Sequence, residues 1–244
     1  MLSRLRRRSS VIAMAATVLV VVVVLVADVV IKHVAEQRIA KVATCRLQAT
    51  GSVGARLPGT FAGLGAVVGS VGDVHVSADG VARDGVAAHV DAVLHGVTAG
   101  GATSGGTAVA TAPYSAMRQQ LVQMSGLTDP VMSADGAGLV IVGSRSGIPV
   151  VVHASISTSP DALTVTPTTV RVLGRDIPVA SLTSIPLIKD LARQLDPKVF
   201  ALADLPDGAV LTGARPVQSG LSLDFSIPKH GASKAETECP AATG

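Results

Sequence analysis

Apolar positions follow two periods along this chain. "VIAMAATVLVVVVVLVA", residues 11–27, is continuously apolar apart from Thr17, and "DVVI" prolongs it to Ile31. As a helix the run spans roughly 25–31 Å, about the thickness of a bilayer core, and it predicts a membrane span. From Ala27 to about Leu47 there is no Gly or Pro, so the helix is expected to run on as a stalk or to pack onto the domain. "QATGSVGARLPG" breaks it. Beyond that point the period becomes two. "DVHVSADGV" sets Val74, Val76 and Ala78 on one parity and predicts a strand entering a tight turn at Asp79-Gly80. "VAAHVDAVLHGV" puts Val90, Ala92 and Leu94 on one face and His89, Asp91 and His95 on the other, the pattern of a half-buried antiparallel strand.

"GGATSGG" reads as a loop, and "TAVATAPYSAMRQQLVQMSG" as a short strand and then a helix from near Pro113, with Tyr114, Met117, Leu121 and Met124 along one face. After a "SADG" turn, "GLVIVGS" and "IPVVVHASIS" predict a hairpin, and "ALTVTPTTVRVLG" a further strand. "SIPLIKDLARQLDPKVF" predicts a second helix with Leu187, Ile188, Leu191 and Leu195 on one stripe, capped by Ser184 before Pro186. "GAVLTGARPV" and "GLSLDFSIP" close the chain, with Leu221, Leu223, Phe225 and Ile227 alternating against Ser222, Asp224 and Ser226. Strands, helix, strands, helix, strands is an α+β antiparallel order rather than a parallel βαβ one. The two "SADG" tetrapeptides are explained by hairpin turns more simply than by duplication, because their flanks do not match.

Composition sharpens the picture in two ways. Aromatics are 2% of the 244 residues, so the core has to be built from Val, Ala, Leu and Ile, which suits a pleated surface. The net charge of +3 is carried by Arg4, Arg6, Arg7 and Arg8, which leave the remainder near neutral. No basic stripe interleaved with aromatics follows residue 10, which argues against a nucleic-acid partner. Those arginines instead hold the N-terminus in the cytoplasm, so that everything after about residue 28 is exported. A cleaved signal peptide is the rival reading and would make the domain secreted or periplasmic. Leu25, three positions back from Ala27, fits a small-x-small cleavage site poorly, so an uncleaved anchor is favoured. Cys45 ends a lipobox-like "VATC", but Lys32, Glu36, Arg38 and Lys41 separate it from the apolar run. Cys45 and Cys239, the two cysteines, read as a disulfide in an oxidising compartment, with two unpaired thiols as the other reading.

Recognisable catalytic chemistry is scarce. "GSRSG" has Arg145 where a nucleophile elbow needs serine, and no Cys-x-x-Cys, His-Glu-x-x-His or Asp-rich loop occurs. His75, His89 and His95 share a parity and could gather on one sheet face, yet no cysteine or spaced acid completes a metal set, and solvated strand histidines are the better reading. Asp79 with Asp84, and Asp204 with Asp207, fit turns. The expectation is a protein without an enzyme's site and without a cofactor. "LPGTFAGLGAVVGS", residues 57–70, scans as a nucleotide loop through Gly63 and Gly65, but it precedes a strand instead of following one, in an antiparallel context. Its glycines read instead as the smooth side of a short apolar helix carrying Phe61, Leu64, Val67 and Val68.

Three stretches together resemble the LmeA-like phospholipid-binding family of actinobacterial cell envelopes: 57–97, "GTAVATAPYSAMRQQL" at 106–121, and 185–227. They share an apolar helix, a Val-x-Val strand, a strand ending in Gly-Val, a Thr-x-Pro-Tyr helix start and a Leu-Pro-x-Gly turn, in order across about 170 residues. Pro58 and Phe61 are separated by Gly59 and Thr60, where the family commonly has an adjacent Pro-Phe pair. The resemblance implies a fold similar to tubular lipid-binding modules, a strongly curved antiparallel sheet around short helices, and a role in envelope lipid or lipoglycan homeostasis. The expected organisation is a basic tail at 1–10, an anchor at 11–31, a helical stalk at 32–50, an exported lipid-binding domain at 51–229 and a tail at 230–244. The expected groove is lined by Leu57, Phe61, Leu64, Val67 and Val68, with Tyr114, Met117 and Leu121 and the Leu187–Leu191 face opposite, and holds a phospholipid acyl chain. The lipid is sensed, transferred, or presented to an envelope glycosyltransferase or other membrane protein. The alternative is an exported interaction module that docks an envelope protein through the same apolar surface.

Overall fold

The structure, a computed structural model, describes residues 28–44, 49–59, 65, 69–83, 85–136, 138–145, 147–182, 195–202, 205 and 208–231. Among them the protein is mostly antiparallel β-sheet with a few short helices. Helix α1 covers 28–44, in the Gly- and Pro-free stretch between the apolar run and the first break. One six-stranded sheet has the order β1-β2-β3-β4-β12-β11, from β1 (Val53–Arg56), β2 (Ser70–Arg83), β3 (Val86–Thr98), β4 (Gly105–Pro113), β11 (Val210–Val217) and β12 (Gly220–Ile227). The second has the order β10-β8-β7-β6-β5, from β5 (Thr128–Asp135), β6 (Gly138–Arg145), β7 (Ile148–Ser159), β8 (Ala162–Val172) and β10 (Lys198–Ala201); β9 (Arg175–Pro178) pairs with β8. Helix α2 (Tyr114–Ser125) joins the two and packs against β5, β3 and β4, while α3 (Val179–Leu182) is a single turn after β9. Edge strand β11 lies against the second sheet, and the Leu211 N–H donates to Pro160 O at the β7–β8 turn over 2.9 Å.

Several predicted elements are present. The His89/Val90 alternation is strand β3, the 138–159 hairpin is β6–β7, and the helix after Pro113 begins at Tyr114. That helix stops at Gly126, whose left-handed φ of 63° lets its N–H reach Val122 O.

Others are corrected. Asp79-Gly80 is not a hairpin turn: β2 runs on to Arg83, and the register slips between Ala78 and Val81. The pair forms a bulge, which needs a left-handed residue as much as a turn does, and Gly80 supplies it at φ 65°. Thr50 and Gly51 lie across it, donating to Gly80 O and Asp79 O, so closely that a Cβ on Gly51 would come within 2.8 Å of Asp79 O. The second "SADG" does turn the chain, between β5 and β6. Lys198–Phe200, predicted as the end of a helix, belong to strand β10 (Lys198–Ala201) on β8. Pro197 disfavours a helical residue before it, and Val199 and Phe200 suit a strand. Strands β1 and β9 lie where no element was predicted.

The core forms two clusters. Leu127, Val150, Val152, Val170 and Leu195 bury the apolar face of the second sheet, with Ile141, Val172, Ile177 and Val179 packed around them. The other cluster is Leu57 and Val74, with Val71, Val76 and Val97 and, from α1, Ala35 and Ile39. Glu36 of α1 accepts the Leu57 N–H over 2.9 Å, satisfying a backbone donor outside the sheet ladder. Helix α1 is therefore docked on the first sheet. Among the described residues no helix is long and apolar enough to cross a membrane; the apolar run at 11–27 lies outside them.

Candidate functional site

The first sheet sorts its side chains by face along complete cross-strand rows. One row is Ala55, Val76, Ala92, Ala108, Phe225 and Leu211, and the next on the same face is Val53, Ala78, Val90, Ala110, Leu223 and Ala214. A third holds Val74, Leu94, Gly106 and Ile227. Strand period places every one of these on one side, and the six strands make that side about 24 Å wide. Along β4 these rows carry only Gly106, Ala108 and Ala110, with Ala92 beside Ala108, between Val90 and Leu94 on β3 and Leu223, Phe225 and Ile227 on β12. The result is a trough. Gly106 has no room for more, because a Cβ there would lie 2.2 Å from Val93 O. Ala55, Val74, Ala78 and Leu211, on the outer strands of these rows, are buried, whereas Ala92, Ala108, Ala110, Leu223 and Phe225 remain half-buried. Helix α1 borders the trough at its β2 side through Ala35 and Ile39.

Of the sequence-predicted lipid residues, Leu57 is fully buried beneath α1, at 0% exposure, so it anchors the helix and is not an open lining residue. Tyr114, Met117 and Leu121 are half-buried on α2. The Tyr114 hydroxyl donates to Val217 O over 2.9 Å, clamping α2 to the β11–β12 turn, and partial burial raises its pKa. Phe61, Leu64, Val67, Val68, Leu187 and Leu191 lie outside the described residues, as do Cys45 and Cys239. Gly65 is helical, and a Cβ on it would come 2.7 Å from Ser70 O, which is why a small residue stands there. The alanines of β3 and β4 escape a reading by sequence alone. Their signal is the parity of "TAVATA", where Ala108 and Ala110 alternate with Thr107, Val109 and Thr111.

The opposite face is polar and carries the histidines. His89 directs Nδ1 at Asp79 Oδ1 (2.6 Å) and Nε2 at Asp91 Oδ2 (2.8 Å), while Ser52 Oγ donates to the other Asp79 oxygen over 2.5 Å. His95 pairs with Asp73 at 3.3 Å. The carboxylates at its two ring nitrogens favour the charged form of His89: the Asp79 hydrogen bond, above all, raises its pKa. Asp79 is lowered, first by Ser52 and then by His89, and Asp73 is lowered chiefly by His95. Ser52 donates to a carboxylate and not to the imidazole, so this row lacks the proton path of a nucleophilic triad. Among the described residues no group of three or more His, Cys, Asp or Glu is placed to hold a metal ion.

The raised His89 pKa has a sign. Its stabilisation is fully present below the ordinary histidine value and fades as pH rises through the folded one, while that of Asp79 fades as pH falls through the carboxylate range. The melting temperature of His89→Gln should therefore trail the parent most below the ordinary histidine pKa of about 6.5, and the gap should narrow as pH rises beyond it. A gap that widens with rising pH would refute the raised His89 pKa.

A separate surface cleft of about 340 Å³ on the second sheet is lined by residues including Asp135, Leu139, His153, Ile156 and Thr168. It shares no residue with the trough. No family model matches the chain, and no curated protein and no solved structure matches it.

Proposed function

We propose that this chain is a membrane-anchored, extracytoplasmic phospholipid-binding protein, non-catalytic and similar to the LmeA-like family, acting in envelope lipid or lipoglycan homeostasis. The observation that carries the reading is the trough: an apolar sheet face with an alanine and glycine floor, on which Ala92, Ala108, Ala110, Leu223 and Phe225 stay half-buried. An acyl chain needs such a floor and few polar partners, and each methylene moved onto it from water contributes roughly 0.8 kcal/mol. Bulges at Ser70–Val74 and Ala78–Val81 of β2 bend that strand, which supports a strongly curved sheet around short helices. Attachment to the membrane rests on residues 11–31, with the N-terminus cytoplasmic.

The test is native mass spectrometry of the full chain released from detergent micelles. One phospholipid mass added per chain is the expected result. Bare chain, with lipid extraction at background, would favour the interaction-module alternative.

A further inference from the structure

Helix α1 has two faces, and the domain uses one of them. Ala35 and Ile39 dock on Leu57 and Val74, and Glu36 holds the Leu57 N–H. The other face is an unbroken exposed stripe: Val29, Val30, His33, Val34, Gln37, Arg38, Lys41 and Val42. Val29 is 64% exposed, Val30 56%, Val34 45% and Val42 45%. Four solvent-facing valines on one short helix, interleaved with the cations of Arg38 and Lys41, make the pattern of a helix lying in a bilayer interface. Position in the chain names the occupant. The anchor predicted at 11–31 runs into α1, so Val29 and Val30 stand at its outer end and Val34 is the first valine of the stripe beyond it. Arg38 and Lys41 stand on the same exposed stripe, so a helix lying along the interface brings them to lipid phosphates.

We propose that the exposed stripe of α1 binds the surface of an anionic phospholipid bilayer, with Val30 and Val34 at the acyl boundary and Arg38 and Lys41 on lipid phosphates, so that the domain rests on the membrane and is not carried away from it on a stalk. This rests on the membrane anchor of the proposed function. It adds a path. The face of α1 opposite the bilayer borders the trough, so a lipid passing from membrane to trough has one helix to round.

The chain contains no tryptophan, so a single indole reports without background. Val34→Trp and, separately, Val30→Trp are made in the full chain, with Val199→Trp on exposed strand β10 as the reference (Val199 is 67% exposed). Each is reconstituted into phosphatidylcholine vesicles with and without phosphatidylglycerol, some carrying brominated acyl chains. The indoles at 30 and 34 should emit at shorter wavelength than that at 199 and be quenched by the brominated lipid. Quenching should be about twofold stronger with phosphatidylglycerol, and this increment should vanish in Arg38→Gln/Lys41→Gln. Vesicles that float with the chain and quench the indole at 30, while that at 34 stays as open to acrylamide as that at 199, would overturn the inference and leave the anchor standing. A chain that does not float with vesicles would overturn both.

Discussion

Ala108→Phe should weaken lipid binding about tenfold and leave the protein folded. Ala108 sits mid-trough, between Ala92 on β3 and Phe225 on β12 in one cross-strand row. A benzyl group there stands where the acyl chain lies. Excluding as few as two methylenes from the floor removes roughly 1.6 kcal/mol of binding, about a tenfold loss of affinity. The fold should tolerate the change, because the site is half-buried and a Phe-Phe pair across β4 and β12 favours the ladder by roughly 0.2–1 kcal/mol. The readout is the phospholipid adduct in native mass spectra, measured beside the melting temperature. An adduct of undiminished intensity on a folded Ala108→Phe chain would place the lipid elsewhere.

Leu57→Ala should give the largest loss of stability. Leu57 is one of the few side chains with no exposed surface, and it is the residue against which α1 and β2 are packed. Truncating such a leucine costs about 2–5 kcal/mol, because the lost contact area is joined by a cavity that the neighbours only partly fill. For a chain of this size that corresponds to a fall of about 10 °C in melting temperature. Leu173→Ala is the comparison: Leu173 is 75% exposed at the β8–β9 turn, and its removal should leave the melting temperature within about 2 °C of the parent. Equal effects at the two positions would mean that α1 is not docked.

Much of this architecture is legible in the sequence where period and punctuation agree. "VAAHVDAVLHGV" and "GLSLDFSI" alternate cleanly, and they are strands with the predicted faces. Sequence misleads where one dipeptide serves two geometries. Asp-Gly suits a left-handed turn and a left-handed bulge alike, and only the partner segment at Thr50 and Gly51 decides which is built. The β8–β9 turn is hidden for the opposite reason. Leu173 and Gly174 both take positive φ, 50° and 78°, but leucine is not a residue that announces such a turn. Strand β10 reads as helix because its four residues come directly after a helical stripe, and tertiary pairing with β8 overrides that local pattern.

The candidate site is the less legible part. Tyr114, Met117 and Leu121 show as a helical face on α2 but belong to none of the trough rows, and the trough floor itself does not show, because alanines and a glycine carry no chemical signature of their own. Their meaning comes from register: Ala92 opposite Ala108, Val90 opposite Ala110 and Leu94 opposite Gly106 turn three weak positions into one surface. Leu57 is legible as apolar, but its burial beneath α1 depends on a contact with residues about twenty positions earlier, which periodicity cannot report.

The measurement that bears most directly on lipid binding in the trough is photo-crosslinking in membranes, with a phospholipid carrying a diazirine at its acyl terminus, and then peptide mapping of the full chain. Labelled residues should fall on β3, β4 and β12, around Ala92, Ala108, Ala110 and Phe225, in addition to the apolar run at 11–27. Label confined to residues 11–44, with none on those three strands, would contradict it.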